Sequence, residues 1–217
     1  MSFYQKIDGS QYKNIYAVGD LHGCYDLLMT ELEKVKFNRE TDLLISVGDL
    51  IDRGRQNLKC LQLLREKWFF NVQGNHDQMA IEALLYHDFN MQVNWIRNGG
   101  DWFYSLPMEQ KLEAVDLLKI CEKRPLVIEL EMVNGDLCVI AHADYPSNDY
   151  EFGKVVSKQD ILWSRDRLES YSEINIDGAD TFIFGHTIVE QPEVHGNRLY
   201  IDTGAFNSGN LTLIKLG

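Results

Sequence analysis

Five apolar runs in this chain end on a residue type that binds metals. Ile15-Tyr16-Ala17-Val18 leads into Gly19-Asp20-Leu21-His22-Gly23, and Leu43-Leu44-Ile45-Ser46-Val47 leads into Gly48-Asp49. Phe69-Phe70-Asn71-Val72 is followed by Gln73-Gly74-Asn75-His76, Leu137–Ala141 by His142, and Thr181–Phe184 by Gly185-His186. Carboxylate, imidazole and amide oxygen, with no thiolate, suit a divalent or borderline transition metal. A lone Asp-x-His pair is common by chance and says little. Open α/β sheets gather their ligands outside the carboxyl ends of strands, so five such ends read as one site.

Counting ligand types divides the set between two ions. Asp20, His22 and a shared Asp49 serve one; Asn75, His142, His186 and the same Asp49 serve the other. Hard oxygen with imidazole favours Mn²⁺, Fe or Zn²⁺ over a pure Mg²⁺ or Ca²⁺ site. Two such ions about 3.5–4 Å apart lower the pKa of a water between them and clamp the oxygens of an in-line displacement. No serine or cysteine stands in an activated setting, so water is the expected nucleophile. Asp52 lies further along the Gly48–Gly54 loop and is free to support a histidine, and Arg53 offers a planar fork that suits phosphate oxygens. The bland alternative makes Asp52 a turn residue and Arg53 half of a surface ion pair. Asn75 could equally be a helix N-cap. His76 should point away from a metal bound by Asn75 and act as a proton donor, while His87 and His195 follow no strand end and are expected on the surface.

The elements that position these residues follow from periodicity. Strands are expected at 15–18, 43–47 and 69–72, with helices at 24–37, 57–67 and 75–86 between and after them. Strand-helix alternation of this kind implies parallel βαβ units. Residues 87–110 hold Trp95, Trp102, Phe103 and Tyr104 with no clean period, either a lid or plain aromatic packing. A helix over 109–122 follows, then strands at 126–132, 137–141, 181–184, 198–202 and 210–216, the first two joined by a hairpin at Asn134-Gly135. The second half therefore looks richer in antiparallel pairing. Two sheets packed together with helices outside, in one domain spanning residues 1–217, is the expected α/β architecture.

Composition limits the function classes. At 217 residues with 45% hydrophobic and 25% charged residues, the chain can bury a proper core. A formal net charge of −12 argues against a nucleic-acid partner, which would need a basic face. Cys24, Cys60, Cys121 and Cys138 are scattered without a C-x-x-C pair, as expected of free thiols in a reducing cytoplasm. Met1 to Ser10 shows no signal-peptide pattern and no apolar run approaches membrane-spanning length, so no membrane partner is expected.

In this order, Gly19–Gly23, Gly48–Gly54, Gly74-Asn75-His76-Asp77, His142-Ala143-Asp144 and Gly185-His186 resemble the calcineurin-like metallophosphoesterases. Within them, the chain is similar to the phage-lambda-type and enterobacterial serine/threonine protein phosphatases, from Tyr4 through Tyr145-Pro146 to Ile201-Asp202-Thr203-Gly204-Ala205. The resemblance implies an α/β/β/α sandwich of two mixed sheets and a hydrolase with two divalent ions, usually manganese, acting on a phosphoprotein. Carried over by position, it implies His76 as general acid paired with Asp52, and Arg53, Arg165 and Asn75 as substrate contacts. Arg165 has no support from spacing and would otherwise be an exposed helical arginine. One departure is Asp77, where the protein phosphatases usually carry glutamate. Gly-Asn-His-Asp looks like the symmetrical dinucleoside tetraphosphatases, which form the alternative, although those typically lack an aspartate at the position of Asp52. A metal-binding scaffold without catalysis is a third reading, and metal-dependent turnover of an aryl phosphate separates it from the other two.

Overall fold

The computed structural model describes residues 3–217. Among them, strands form where β-branched and aromatic runs lie between turn residues: β1 (Tyr4–Asp8), β2 (Ile15–Val18), β3 (Leu43–Ser46), β4 (Phe69–Asn71), β5 (Val127–Glu131), β6 (Leu137–Ala141), β7 (Thr181–Phe184), β8 (Glu193–His195), β9 (Arg198–Tyr200) and β10 (Leu213–Leu216). They make a four-stranded sheet, β10-β2-β3-β4, and a six-stranded sheet, β1-β5-β6-β7-β9-β8. The helices are α1 (Tyr25–Lys34), α2 (Asn57–Gln62), α3 (Asn75–Leu84), α4 (Phe89–Trp95), α5 (Trp102–Ser105), α6 (Met108–Cys121), α7 (Lys158–Trp163), α8 (Asp166–Glu169) and α9 (Ala205–Ser208).

Alternation along each strand sorts side chains into layers. Ile15, Ala17, Leu43 and Ile45 meet Ile128, Leu130, Ile140 and Ile183 between the sheets. Their neighbours Tyr16, Val18 and Leu44 face the other way, against Leu28, Leu61 and Leu118 of the helices. Val127, Val139, Phe182 and Phe184 do the same on the outer face of the larger sheet, under Tyr145, Ile161 and Leu168. Three cores between four layers give the expected α/β/β/α sandwich, and each fully buried leucine or isoleucine adds about 1.5–3 kcal/mol.

The expected helices and strands are present, most with shorter ends, while 15–18, 137–141 and 181–184 match and α6 begins one residue earlier. Pairing in the second half is richer in antiparallel strands, as expected: β5–β6, β8–β9 and β10–β2 are antiparallel beside parallel β6–β7 and β7–β9, whereas β2–β3 and β3–β4 are both parallel. The strands β1 and β8 were not anticipated. In β1 the buried Tyr4 and Ile7 are three residues apart, which breaks the alternation that marks a half-buried strand. Residues 87–110 are mostly helical, and their period is hidden because a wide π-type turn at Ile96–Gly100, with Gly99 at φ 105°, separates α4 from α5. The hairpin at Asn134-Gly135 is as expected, with Gly135 at φ 89°. Of the two histidines set aside, His87 is exposed, but His195 is buried and bridges Glu173 and Glu193 at 3.0 and 3.1 Å. No described helix is long and apolar enough to cross a membrane.

The ends of the described chain cross over between sheets. β1 pairs with β5 in the larger sheet, and β10 pairs antiparallel with β2 in the smaller one, Leu213 opposite Val18.

Candidate metal centre

The candidate residues converge at the carboxyl ends of β2, β3, β4, β6 and β7. The loops after β2 and β3 are knitted together, with the amides of Leu21 and His22 both donating to the Asp49 carbonyl at 3.1 and 2.8 Å. This packing forces backbone strain. Of the eight non-glycine residues with positive φ among those described, five are site residues: His22, Asp49, Asp52, Arg53 and His186. Strain of this kind is maintained where side chains must be aimed. The Gly74 backbone lies so close to Asp49 that any Cβ there would run into the carboxylate.

Two clusters share Asp49. Ligand atoms of Asp49, His142 and His186 lie within 4.8 Å of one another, as do those of His22, Asp49 and His76. Asn75 belongs to the first, its Oδ1 lying 2.8 Å from His142 Nε2 and 2.9 Å from His186 Nδ1. It is the first residue of α3 and not its cap. Asp20 sits 4.0 Å from His22 Nε2 and accepts from the His186 amide at 3.2 Å.

The tautomers test whether a cation fits. His22 Nδ1 faces the Ile51 carbonyl at 2.7 Å and His142 Nδ1 faces the Val47 carbonyl at 2.8 Å. A carbonyl can only accept, so both rings carry their proton on Nδ1. Burial pushes the His22 and His186 imidazoles down to about 3 and lowers that of His142, so all three are neutral near pH 7. The Nε2 lone pairs of His22 and His142 therefore each face Asp49 Oδ2 at 3.5 Å, acceptor against acceptor. A divalent cation between them resolves that repulsion, and the donor set fits one. The cationic group that does reach this point is Arg53, whose Nη1 donates to His22 Nε2 at 2.9 Å.

Beside this centre is a buried histidine–carboxylate pair. His76 Nδ1 donates to Asp52 Oδ2 at 2.7 Å, which leaves Nε2 as its remaining nitrogen. The ring meets that of His22 edge-on at 4.8 Å, so His76 turns away from the Asn75 cluster, as expected, and toward the other. Asp52 is fully buried and accepts from the indoles of Trp95 and Trp102 as well. Burial pushes its carboxyl up, and the bonds from His76 and the two indoles pull it back.

Arg53 is exposed at the mouth of the site, with its guanidinium 5.0 Å over the Phe206 ring, which in turn packs 5.2 Å from His22. Arg165 is exposed after α7, and its charge acts on His142 and His186. Both expected arginines are thus brought to the centre. Asp77 is not: its buried carboxylate accepts from the amides of Gly74 at 2.9 Å and Leu50 at 3.1 Å, fastening the start of α3 to the β3 loop.

Sequence reasoning missed Asp202, Phe206 and the roles of Trp95 and Trp102. Asp202 follows β9 and is buried beside Asp20; burial first, then Asp49, pushes its carboxyl up to about 6. Burial, followed by the Asp202 and Asp49 charges, raises Asp20 too. The run Leu199-Tyr200-Ile201 ending on Asp202 is a sixth strand end of the same kind and was open to the same reading. Phe206 and the tryptophans carry no such signal.

Known proteins resemble this chain in sequence and in fold. A model of the calcineurin-like phosphoesterases matches residues 13–190. The chain is 48% identical over 216 residues to the serine/threonine-protein phosphatase 2 of Salmonella typhimurium, covering 98% of this chain and 97% of that one. It is 39% identical to a symmetrical bis(5'-nucleosyl)-tetraphosphatase of Mannheimia succiniciproducens, over 101 residues and 38% of this chain. Among solved structures, the crystal structure of a candidate diadenosine tetraphosphatase superposes with a TM-score of 0.74 at 18% identity, covering 100% of this chain and 98% of that one, a likeness of fold.

Proposed function

The chain belongs to the calcineurin-like phosphoesterases, and from that premise we propose that it is a metal-dependent serine/threonine protein phosphatase, with phosphotyrosine as a lesser substrate. The observation that carries this reading is the Asp52–His76 pair at 2.7 Å beside the shared Asp49. A serine or threonine alkoxide is a poor leaving group and needs a proton as its bond to phosphorus breaks. His76 Nε2 supplies that proton as general acid, and Asp52 fixes the ring by accepting from Nδ1. Arg53 and Arg165 bind the phosphate oxygens, and Phe206 packs under the Arg53 guanidinium. Asp20, His22 and Asp49 would hold one ion, and Asn75, His142, His186 and Asp49 a second. Two divalent ions, Mn²⁺ by our reading, supply when bound positive charge for the phosphate and a lowered pKa for attacking water.

The dinucleoside tetraphosphatase alternative drew on Asp77. That carboxylate is spent on two backbone amides, so it carries no information about substrate. The relative named serine/threonine-protein phosphatase also spans nearly the full chain, whereas the symmetrical tetraphosphatase matches little more than a third. We assign residues 1–217 to one domain, on the exchange of strands between the sheets. The cytoplasm is the proposed location, supported by free thiols at Cys24, Cys60, Cys121 and Cys138.

The test is a substrate panel with purified, Mn²⁺-loaded protein: phosphoserine, phosphothreonine and phosphotyrosine peptides beside a dinucleoside tetraphosphate. The expected outcome is a higher kcat/KM on phosphoserine and phosphothreonine. A clear preference for the tetraphosphate would install the alternative.

A further inference from the structure

We propose that Trp95 and Trp102 are positioning residues for the proton transfer: their indole N–H groups hold the Asp52 carboxylate in the orientation from which it aims His76. This inference rests on the reading of His76 as general acid.

Asp52 Oδ2 accepts from His76 Nδ1 at 2.7 Å and from Trp95 Nε1 at 2.8 Å, while Oδ1 accepts from Trp102 Nε1 at 2.8 Å. Trp95 Nε1 also reaches Oδ1 at 3.0 Å, so both oxygens are held. An indole N–H donates and cannot accept. A carboxyl proton on Asp52 would find no acceptor on either indole, so both tryptophans select the ionised, acceptor-only form to which His76 Nδ1 donates. The backbone is fixed as well, with the Asp52 amide donating to Asn57 Oδ1 at 2.8 Å.

The indoles themselves have little freedom. Their rings meet edge-to-face at 6.2 Å and 86°, and Trp95 is fully buried against Gly100, where a Cβ would collide with the indole. The segment between them also touches Arg53. The Arg53 amide donates to the Gly99 carbonyl at 3.4 Å, and a Cβ at Gly99 would come within 2.8 Å of the Arg53 nitrogen. Residues 89–105 therefore grip the proton-transfer residue Asp52 and its phosphate-binding neighbour at once. Tryptophans that served only to fill a core would be replaceable by phenylalanine with no change specific to the chemistry. The indole N–H is what distinguishes the two roles.

The experiment uses the full, metal-loaded chain carrying Trp102→Phe or Trp95→Phe. It compares kcat/KM on a phosphoserine peptide with that on p-nitrophenyl phosphate, whose leaving group needs little protonation. The expected loss is about 10–100-fold on phosphoserine, the scale of removing a supporting hydrogen bond, and only a few-fold on the aryl ester, with metal content unchanged. Added to His76→Asn, Trp102→Phe should cost nothing further on phosphoserine. Both indole proton resonances should move in Asp52→Asn. Equal losses on both substrates, the same Trp102→Phe loss in the His76→Asn background, or unmoved indole resonances would overturn the proposal. His76→Asn separates this from the functional reading. A large loss confined to phosphoserine keeps His76 as acid whatever the tryptophans do, and an equal loss on both esters removes the acid and the clamp with it. Trp102 is only half-buried, so it carries the test if Trp95→Phe does not fold.

Discussion

The strand-end loops and the helical segment 89–105 act on the same chemistry by different means. The loops deliver one to three polar side chains each, and four of the five are marked by a glycine or a residue at positive φ because the chain must turn sharply as it leaves a strand. The helical segment delivers two N–H groups at the edges of large apolar rings that also fill space. In the loops, function and backbone geometry are inseparable. In the segment, function is two atoms attached to side chains that packing alone would explain.

The difference can be tested by asking what each region controls. Asp49→Asn should have the largest effect, because one carboxylate serves both clusters. We expect loss of both ions and of activity by more than the roughly 10²–10³-fold that one electrostatic group is worth. Metal content after equilibrium dialysis checks this; two ions retained per chain would show that the loops do not control loading.

Acid should weaken metal binding through the loops alone. Burial raises the Asp20 carboxyl and pushes that of Asp202 up to about 6, whereas His22 and His186 stay neutral down to about 3. A cation needs those carboxylates deprotonated, so affinity falls as pH drops through about 6, by about tenfold per unit for one proton, and His22 and His186 add nothing in that range. Calorimetric titration in buffers of different ionisation enthalpy would reveal the proton released. A flat profile between about pH 5 and pH 7 would contradict the pairing of Asp20 with Asp202.

Asp77→Asn should lower stability by about 1–3 kcal/mol, since an amide group would face a backbone N–H, without reordering the substrates. Urea denaturation measures the first and the substrate panel the second. A switch toward dinucleoside tetraphosphate would mean that Asp77 does govern substrate choice.

The smallest effect is expected in the helical segment. Gly99→Ala places a Cβ at positive φ against Arg53, costing about 1 kcal/mol of stability. Inhibition by inorganic phosphate should weaken a few-fold with both ions kept. Unchanged inhibition would free Arg53 from any dependence on this segment.

How legible each part was in the sequence follows from the same physics. Asp20, His22, Asp49, Asn75, His142 and His186 could be read together because apolar runs ending on ligand residues record both a strand and its exit. His76 and Asp52 could be read because they lie in the same loops. Arg165 rested on resemblance alone, since nothing near it in sequence marks a strand end. Trp95 and Trp102 were visible as aromatics, but their partner Asp52 is about fifty residues away and no periodicity links them. β1 was missed because its buried Tyr4 and Ile7 are three residues apart, and β8 because its one apolar residue, Val194, is exposed between two polar ones, so neither presents an apolar run.

The crossing of the terminal strands has a consequence for timing. The Gly19 amide donates to the Thr212 carbonyl at 3.1 Å, and β10 completes the sheet beside β2, the strand that ends at Asp20 and His22. During synthesis those two ligands emerge early and wait, beside an unpaired sheet edge, for a strand nearly two hundred residues downstream. Long-range pairing of this kind forms late. If Asp20 and His22 hold an ion as proposed, its capture should depend on completion of the chain through β10, and a nascent fragment stopping before Thr212 should have these residues in sequence but no site in which to use them.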